Sequence, residues 1–139
     1  MKISNKLLGD AGEHYVAFQL ARMGINPAML SANSKGVDLL ATDNGKNVIS
    51  IQVKTSAGRN APRQWDVGSH QPNPNKLFFY IFLNLWDDTM KEIECFVVPS
   101  EHVAKSVDWN KERPLFKILK SEVRDFLNNW DLIRNVFTN

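Results

Sequence analysis

Cysteine is almost absent from this sequence, with one residue, Cys95, in 139. A lone thiol excludes an internal disulfide framework and points to a reducing, cytoplasmic compartment. Long apolar runs are missing as well. The longest, Leu77 to Leu83, falls far short of the roughly 20 residues a membrane helix needs. The opening Met1-Lys2-Ile3-Ser4-Asn5-Lys6 holds no apolar stretch of the kind a signal peptide requires. Net charge is small, +2 at neutral pH, which excludes a histone-like binder held to nucleic acid mainly by counterion release. Repeats, low-complexity tracts and linkers are absent too, so residues 1–139 read as a single domain. What is present, 43% hydrophobic and 23% charged residues, suffices for a folded core and excludes wholesale disorder.

The charge is unevenly spread. Residues 1–55 carry six Lys/Arg against four Asp/Glu, and residues 56–76 three against one. Residues 77–112 carry three against seven, and residues 113–139 five against three. An anionic partner is therefore expected to avoid the 77–112 surface and to favour the first half and the tail.

Periodicity and turn signals predict the element order α-β-β-β-β-α-α. A helix over Lys6–Met23 is ended by Gly24, with Pro27 beyond it. A weakly alternating strand over Gly36–Thr42 leads into Asp43-Asn44-Gly45-Lys46, where Asn-Gly supplies the positive φ of a tight turn. The second hairpin arm, Val48–Thr55, puts Ile49, Ile51 and Val53 on one face, with Gln52 and Lys54 on the other. Residues 56–76, rich in Gly, Pro and Asn, read as a long loop. The run Leu77–Leu83 is apolar on both faces, as in a central covered strand. Another strand over Glu94–Val98 stops at Pro99, and Ser100 is expected to cap a short helix to Val107. Pro114–Lys120 fits either an edge strand or a helical lead-in, and Ser121 to about Val136 a final helix. This pattern predicts an α/β fold, a mixed sheet flanked by helices.

Three polar residues interrupt otherwise apolar elements. Glu13 has Val16, Ala17 and Leu20 as helical neighbours, so it projects from the helix's packing face, with Gly9 and Gly12 leaving room beside it. A carboxylate there needs a cation or hydrogen-bond donors. Asp38 breaks the first hairpin strand, and Lys54 lies on the second. With a three-residue loop at Asn44-Gly45-Lys46, Asp38 falls opposite Gln52, clustering Asp38, Gln52 and Lys54 on one face. A two-residue loop shifts the register by one and separates them. Hard cations such as Mg²⁺ take oxygen ligands of these types, and an adjacent ammonium can stabilise charge in a transition state. The residue types fit metal-assisted phosphodiester hydrolysis.

Gly9-x-x-x-Glu13, Gly36-Val37-Asp38 and Ile51-Gln52-Val53-Lys54-Thr55 after a Gly-containing hairpin together resemble the PD-(D/E)XK nuclease superfamily. In particular they resemble its small members related to archaeal Holliday junction resolvases and bacterial endonuclease-like domains. The resemblance spans about residues 5–107 and implies a restriction-endonuclease-like fold, with Mg²⁺ or Mn²⁺ as cofactor and DNA as partner. It implies Asp38 and Gln52 as metal ligands, with the Val53 carbonyl as a third. Lys54 would be the catalytic lysine, and Glu13 the helix acid beside the metal. Gln52 stands where the superfamily usually has Asp or Glu, which removes one negative charge. A homodimer is expected, because 139 residues offer little surface to grip duplex DNA.

The basic residues Lys35, Arg59 and Arg63 suit phosphate contacts, and Trp65 could stack on an unpaired base. The alternative for Trp65 is packing against the body. His70 has no His or Cys partner in sequence and is not expected to be a ligand or base. Two other readings of the whole stay open. One is a nuclease fold that has lost catalysis and serves as a binding module. The other is a structural protein in which Glu13 and Lys54 form a buried ion pair.

Overall fold

The computed structural model describes residues 3–31, 35–57, 63–85 and 93–138. Helix α1 (Asn5–Arg22) starts at Ser4, whose Oγ accepts the Leu7 N–H at 3.2 Å. It is followed by β1 (Asn26–Met29), β2 (Leu39–Thr42) and β3 (Val48–Ala57). Next come the short β4 (Gln64–Asp66), then β5 (Phe78–Leu85) and β6 (Ile93–Pro99). Helix α2 (Ser100–Ser106), β7 (Leu115–Lys117), α3 (Val123–Phe126) and α4 (Asp131–Thr138) complete the chain.

Five strands form one mixed sheet in the order β1-β2-β3-β5-β6, parallel only between β3 and β5. Strands β4 and β7 pair separately as a two-stranded ribbon. The period-two alternation of β3 sorts the core into two halves. Ile49, Ile51 and Val53 join Ile81, Leu83, Cys95 and Val97 under α1 and α4, meeting Val16, Leu20, Trp130 and Ile133. On the other face Tyr80, Phe82, Phe96 and Val98 pack under α2, α3 and the ribbon, meeting Trp65, Val103, Phe116 and Phe126. As expected of a strand cysteine, Cys95 is buried.

Four sequence expectations are corrected. Strand β1 was not anticipated; Pro27 is tolerated there because β1 is an edge strand with no partner beyond it. The 56–76 segment is not all loop, since it carries β4, which β7 completes as a partner from far along the chain. Ser100 is the first residue of α2 rather than its cap. Its hydroxyl accepts from Asn75 N–H at 3.1 Å and donates to Asn75 C=O at 3.0 Å, tying the loop before β5 to the helix. The final helix is broken at Asn128, which takes φ 51°, a left-handed conformation that Asn tolerates better than most side chains. Its N–H donates to Cys95 C=O at 2.7 Å, stitching the break to β6.

The closest approach of α1 to the sheet is at Gly12. A Cβ there would collide with the Thr55 hydroxyl on β3 and lie 3.2 Å from Leu83 Cδ1. Gly12→Ala is therefore expected to destabilise the fold by about 1–3 kcal/mol, the usual range for overpacking. The double variant Gly12→Ala/Thr55→Ala should recover part of that loss. Chemical denaturation checks both; additive losses would contradict this packing.

Candidate active site at the divergence of two strands

The register of the hairpin is the one that brings Asp38 to Gln52. Leu39 pairs with Ile51 and Thr42 with Val48, leaving residues 43–47 as the loop. The positive φ comes from Asn44 (71°) and not from Gly45, whose N–H donates to the Asp43 carboxylate at 2.8 Å.

Past Leu39 the two strands part. Asp38 N–H still donates to Ile51 C=O at 2.8 Å, and Asp38 C=O accepts from Leu30 N–H at 2.9 Å, so the residue is held from both sides. Its carboxylate then takes over the role of a strand carbonyl. Oδ2 accepts the Val53 N–H at 2.8 Å and the Gln52 side-chain amide at 3.0 Å. That bond turns the Gln52 amide nitrogen towards Asp38 and leaves its Oε1 for other contacts. N–H and C=O of one strand residue face the same side, so the Val53 carbonyl also faces the gap that β2 vacates.

Burial dominates the electrostatics of this gap. Burial pushes the Asp38 carboxyl above the ordinary carboxylate range, against the pull of the Val53 N–H and the Lys54 charge. Glu13 is likewise pushed up, first by burial and then by repulsion from Asp38 and Asp10. Glu13 comes from α1, on the opposite sheet face from Gln52 and Lys54. The Asp38 charge nonetheless reaches Glu13 and disfavours its ionised form. Among the described residues Glu13 and Lys54 form no ion pair with each other, and no three His, Cys, Asp or Glu side chains converge. Any cation here would rest on two carboxylates completed by the Val53 carbonyl, the Gln52 amide oxygen and water. That donor set suits a hard cation such as Mg²⁺.

Gln52 and Lys54 open into a cleft of about 590 Å³, with Lys35 on its rim. The far wall is the loop Val67–Asn73, including His70, Gln71 and Asn73, and Tyr80 closes the floor. Burial raises the Tyr80 hydroxyl to about 12, so at neutral pH it stays a hydrogen-bond donor. Asp66 fixes the start of the far wall. Its Oδ1 accepts the Gly68 N–H at 2.9 Å, which holds its carboxyl below the ordinary range, helped by Arg113 at 3.3 Å. These wall residues carry little local signal. Tyr80 enters through the parallel register Gln52↔Tyr80, and Asp66 through the ribbon, both long-range pairings.

Two of the expected nucleic-acid contacts lie elsewhere. Trp65 is 4% exposed, its Nε1–H donates to Leu83 C=O at 2.9 Å, and its ring packs on Phe82 and Phe96. It is a core residue and has no free face for a base. Arg63 forks onto the Glu94 carboxylate, with Nη2–Oε2 at 2.6 Å, and lies against the Phe96 ring. It clamps the start of β4 to β6. Arg59 lies outside the described residues.

The mixed sheet, with β3 parallel to β5 and an antiparallel hairpin feeding β3, has a restriction-endonuclease-like fold. Comparison with solved structures agrees. The chain is similar to the bacterial homing endonuclease I-Ssp6803I, with a TM-score of 0.69 and 16% identity over 96% of this chain and 95% of that one. It is also similar to Hjc, a Holliday junction resolvase from the archaeal hyperthermophile Archaeoglobus fulgidus, with a TM-score of 0.55 and 10% identity over 90% and 98%. At such identities the likeness is one of fold. No family model matches the sequence, and no curated protein matches it.

Because the ionised form of Glu13 is disfavoured in the folded state, Glu13→Gln should raise the melting temperature of the metal-free protein at pH 7. A rise of about 1–2 °C is expected, small because water screens a partly exposed group. A raised carboxyl pKa makes the folded state bind the proton more readily than the unfolded one. The penalty is thus absent below the ordinary carboxylate range and grows as pH rises through the raised value. The gap between variant and wild type should close on acidification. A variant that melts below wild type at pH 7 would contradict this account.

Proposed function

We propose that this protein is a metal-dependent endonuclease that hydrolyses DNA phosphodiester bonds. The observation that carries the reading is the convergence of Asp38, Gln52 and the Val53 backbone at the gap between β2 and β3, next to Lys54 in an open cleft. Asp38 and Glu13 would hold Mg²⁺ or Mn²⁺ together with the Val53 carbonyl and the Gln52 amide oxygen. When bound, such a cation polarises a phosphoryl oxygen and lowers the pKa of a coordinated water. Lys54, electrostatically coupled to Asp38, is suited to orient the attacking water and to stabilise charge building on the phosphate. Lys35 on the cleft rim would contact the backbone of the bound strand. The fold neighbours act as a homing endonuclease and a Holliday junction resolvase, which supports DNA as the substrate class, branched DNA included. Cutting both strands of a duplex calls for two such sites, and a homodimer would supply them.

A second reading is favoured by one observation: Gln52 donates its amide to Asp38 where a third acid would strengthen a metal site. In that reading the protein binds nucleic acid without cutting it.

A cleavage panel of duplex, nicked and four-way junction DNA with Mg²⁺ and Mn²⁺ decides between them. Metal-dependent cleavage is expected, reduced by Lys54→Ala about 10²-fold or more, the usual loss for a positioned proton-transfer or charge-stabilising group. Asp38→Asn should abolish it, whereas Gln52→Glu should lower the Mg²⁺ concentration needed for half-maximal rate. No cleavage on any substrate, or cleavage indifferent to Lys54→Ala, sinks the enzyme reading.

A further inference from the structure

A second groove, of about 500 Å³, lies on the ribbon side of the molecule between the end of α2 and β7. Its rim carries Lys111, Arg113 and Lys117, against Asp108 and Glu122. The acids are engaged locally. Asp108 Oδ1 accepts the Asn110 N–H at 3.1 Å. Glu122 Oε1 accepts the Leu119 N–H at 3.0 Å, and its Oε2 sits 2.6 Å from His102 Nε2. Lys111 and Lys117, by contrast, are exposed and form no ion pair among the described residues. Residues 105–120 as a whole hold five Lys/Arg against two Asp/Glu. This basic stretch straddles the end of the acidic 77–112 segment and the start of the basic tail.

The groove is linked to the candidate active site through Asp66. Lys54 and Arg113 both act on Asp66, Arg113 by an ion pair with its side chain 78% exposed. Along the ribbon Asp66 pairs with Leu115 and Gln64 with Lys117, so Lys117 stands about 7 Å further from the cleft at ordinary strand rise. Asp66 and the ribbon thus connect Lys54 at the cleft to Arg113 and Lys117, with Lys111 lining the same groove.

We propose that this groove is a second contact for the phosphate backbone of the same nucleic acid, gripping it beyond the cleft. The inference rests on the DNA-binding part of the proposed function and does not require cleavage. Lysines without ion pairs on a concave surface are suited to displacing condensed counterions, and each phosphate neutralised steepens the salt dependence of binding. Because the grip lies away from the reacting bond, it should govern affinity and leave the chemical step alone.

The test is fluorescence anisotropy with labelled duplex and four-way junction DNA, without divalent metal, over a salt series. Lys111→Ala/Lys117→Ala should bind on the order of tenfold more weakly at low salt, with the log–log salt slope reduced by about 2. Lys111→Arg/Lys117→Arg should keep wild-type affinity, and so should Lys46→Ala at the opposite end of β3. If the wild type cleaves, the Ala double variant should retain its rate at saturating DNA. Wild-type affinity and slope in the Ala double variant would overturn the proposal, as would a wild type that binds no DNA. Weakened binding by a protein that never cleaves would uphold the groove while refuting the endonuclease.

Discussion

The carboxylate of Asp38 holds the rest of the site in place. Where β2 leaves β3, an amide on β3 loses the carbonyl a continuing strand would have supplied. An unsatisfied buried N–H costs roughly 1–3 kcal/mol, so strands rarely part without a substitute. Asp38 supplies one, accepting the Val53 N–H at 2.8 Å. That single hydrogen bond lets the strands diverge and leaves the Val53 carbonyl facing the gap. It also anchors a carboxyl group at the one point that both sheet faces can reach. Glu13 arrives from the α1 face, and Gln52 and Lys54 lie on the other. A continuous β2–β3 ladder would have filled this space with backbone.

The fold supports that opening from behind. A parallel pair such as β3 and β5 needs a crossover connection, commonly a helix. Among the described residues of this one there is no helix, and β4 takes its place, pinned by Trp65 into the aromatic cluster and by Arg63 to Glu94. Two of the four candidate nucleic-acid contacts, Arg63 and Trp65, are thus what holds the connection against the sheet. With β4 fixed, the turn at Asp66 and Gly68 projects the Val67–Asn73 loop across from Lys54, and the cleft acquires its second wall.

Much of the fold could be read from the sequence, and the reasons are physical. Alternation in Val48–Thr55, the two-sided apolar run at Leu77–Leu83 and the Asn-Gly turn are local signals, and each identified its element to within a few residues. The contact of Asp38 with Gln52 belongs to one of the two hairpin registers the turn allows, and the pairing of Leu39 with Ile51 selects it. What stayed hidden depends on partners distant in sequence. Strand β4 is three residues long, too short for a periodic signal, and its pairing with β7 is what decides Pro114–Lys120 as a strand over a helical lead-in. Base stacking and packing on the body were both open for Trp65 because no local partner identifies what buries it; Phe82, Phe96 and Leu83 do so from other strands. The break at Asn128 was masked by the helical spacing on both sides of it.

Gln52 is best understood through the same electrostatics. Burial already favours the protonated form of both Asp38 and Glu13, and the Asp38 charge pushes Glu13 further the same way. A carboxylate at position 52, opposite Asp38, would have brought a third negative charge into that space and removed the amide that now donates to Asp38 at 3.0 Å. Like charges held a few ångströms apart in a partly buried site repel strongly when no cation is bound. An amide relieves that repulsion, keeps an oxygen available to a hard cation and orients the acid beside it. The small net charge of the chain fits the same pattern. It is the residue of locally opposed regions, with acids gathered at the strand divergence and lysines arrayed along the ribbon, so that any attraction for an anionic polymer must act over short range and at defined places.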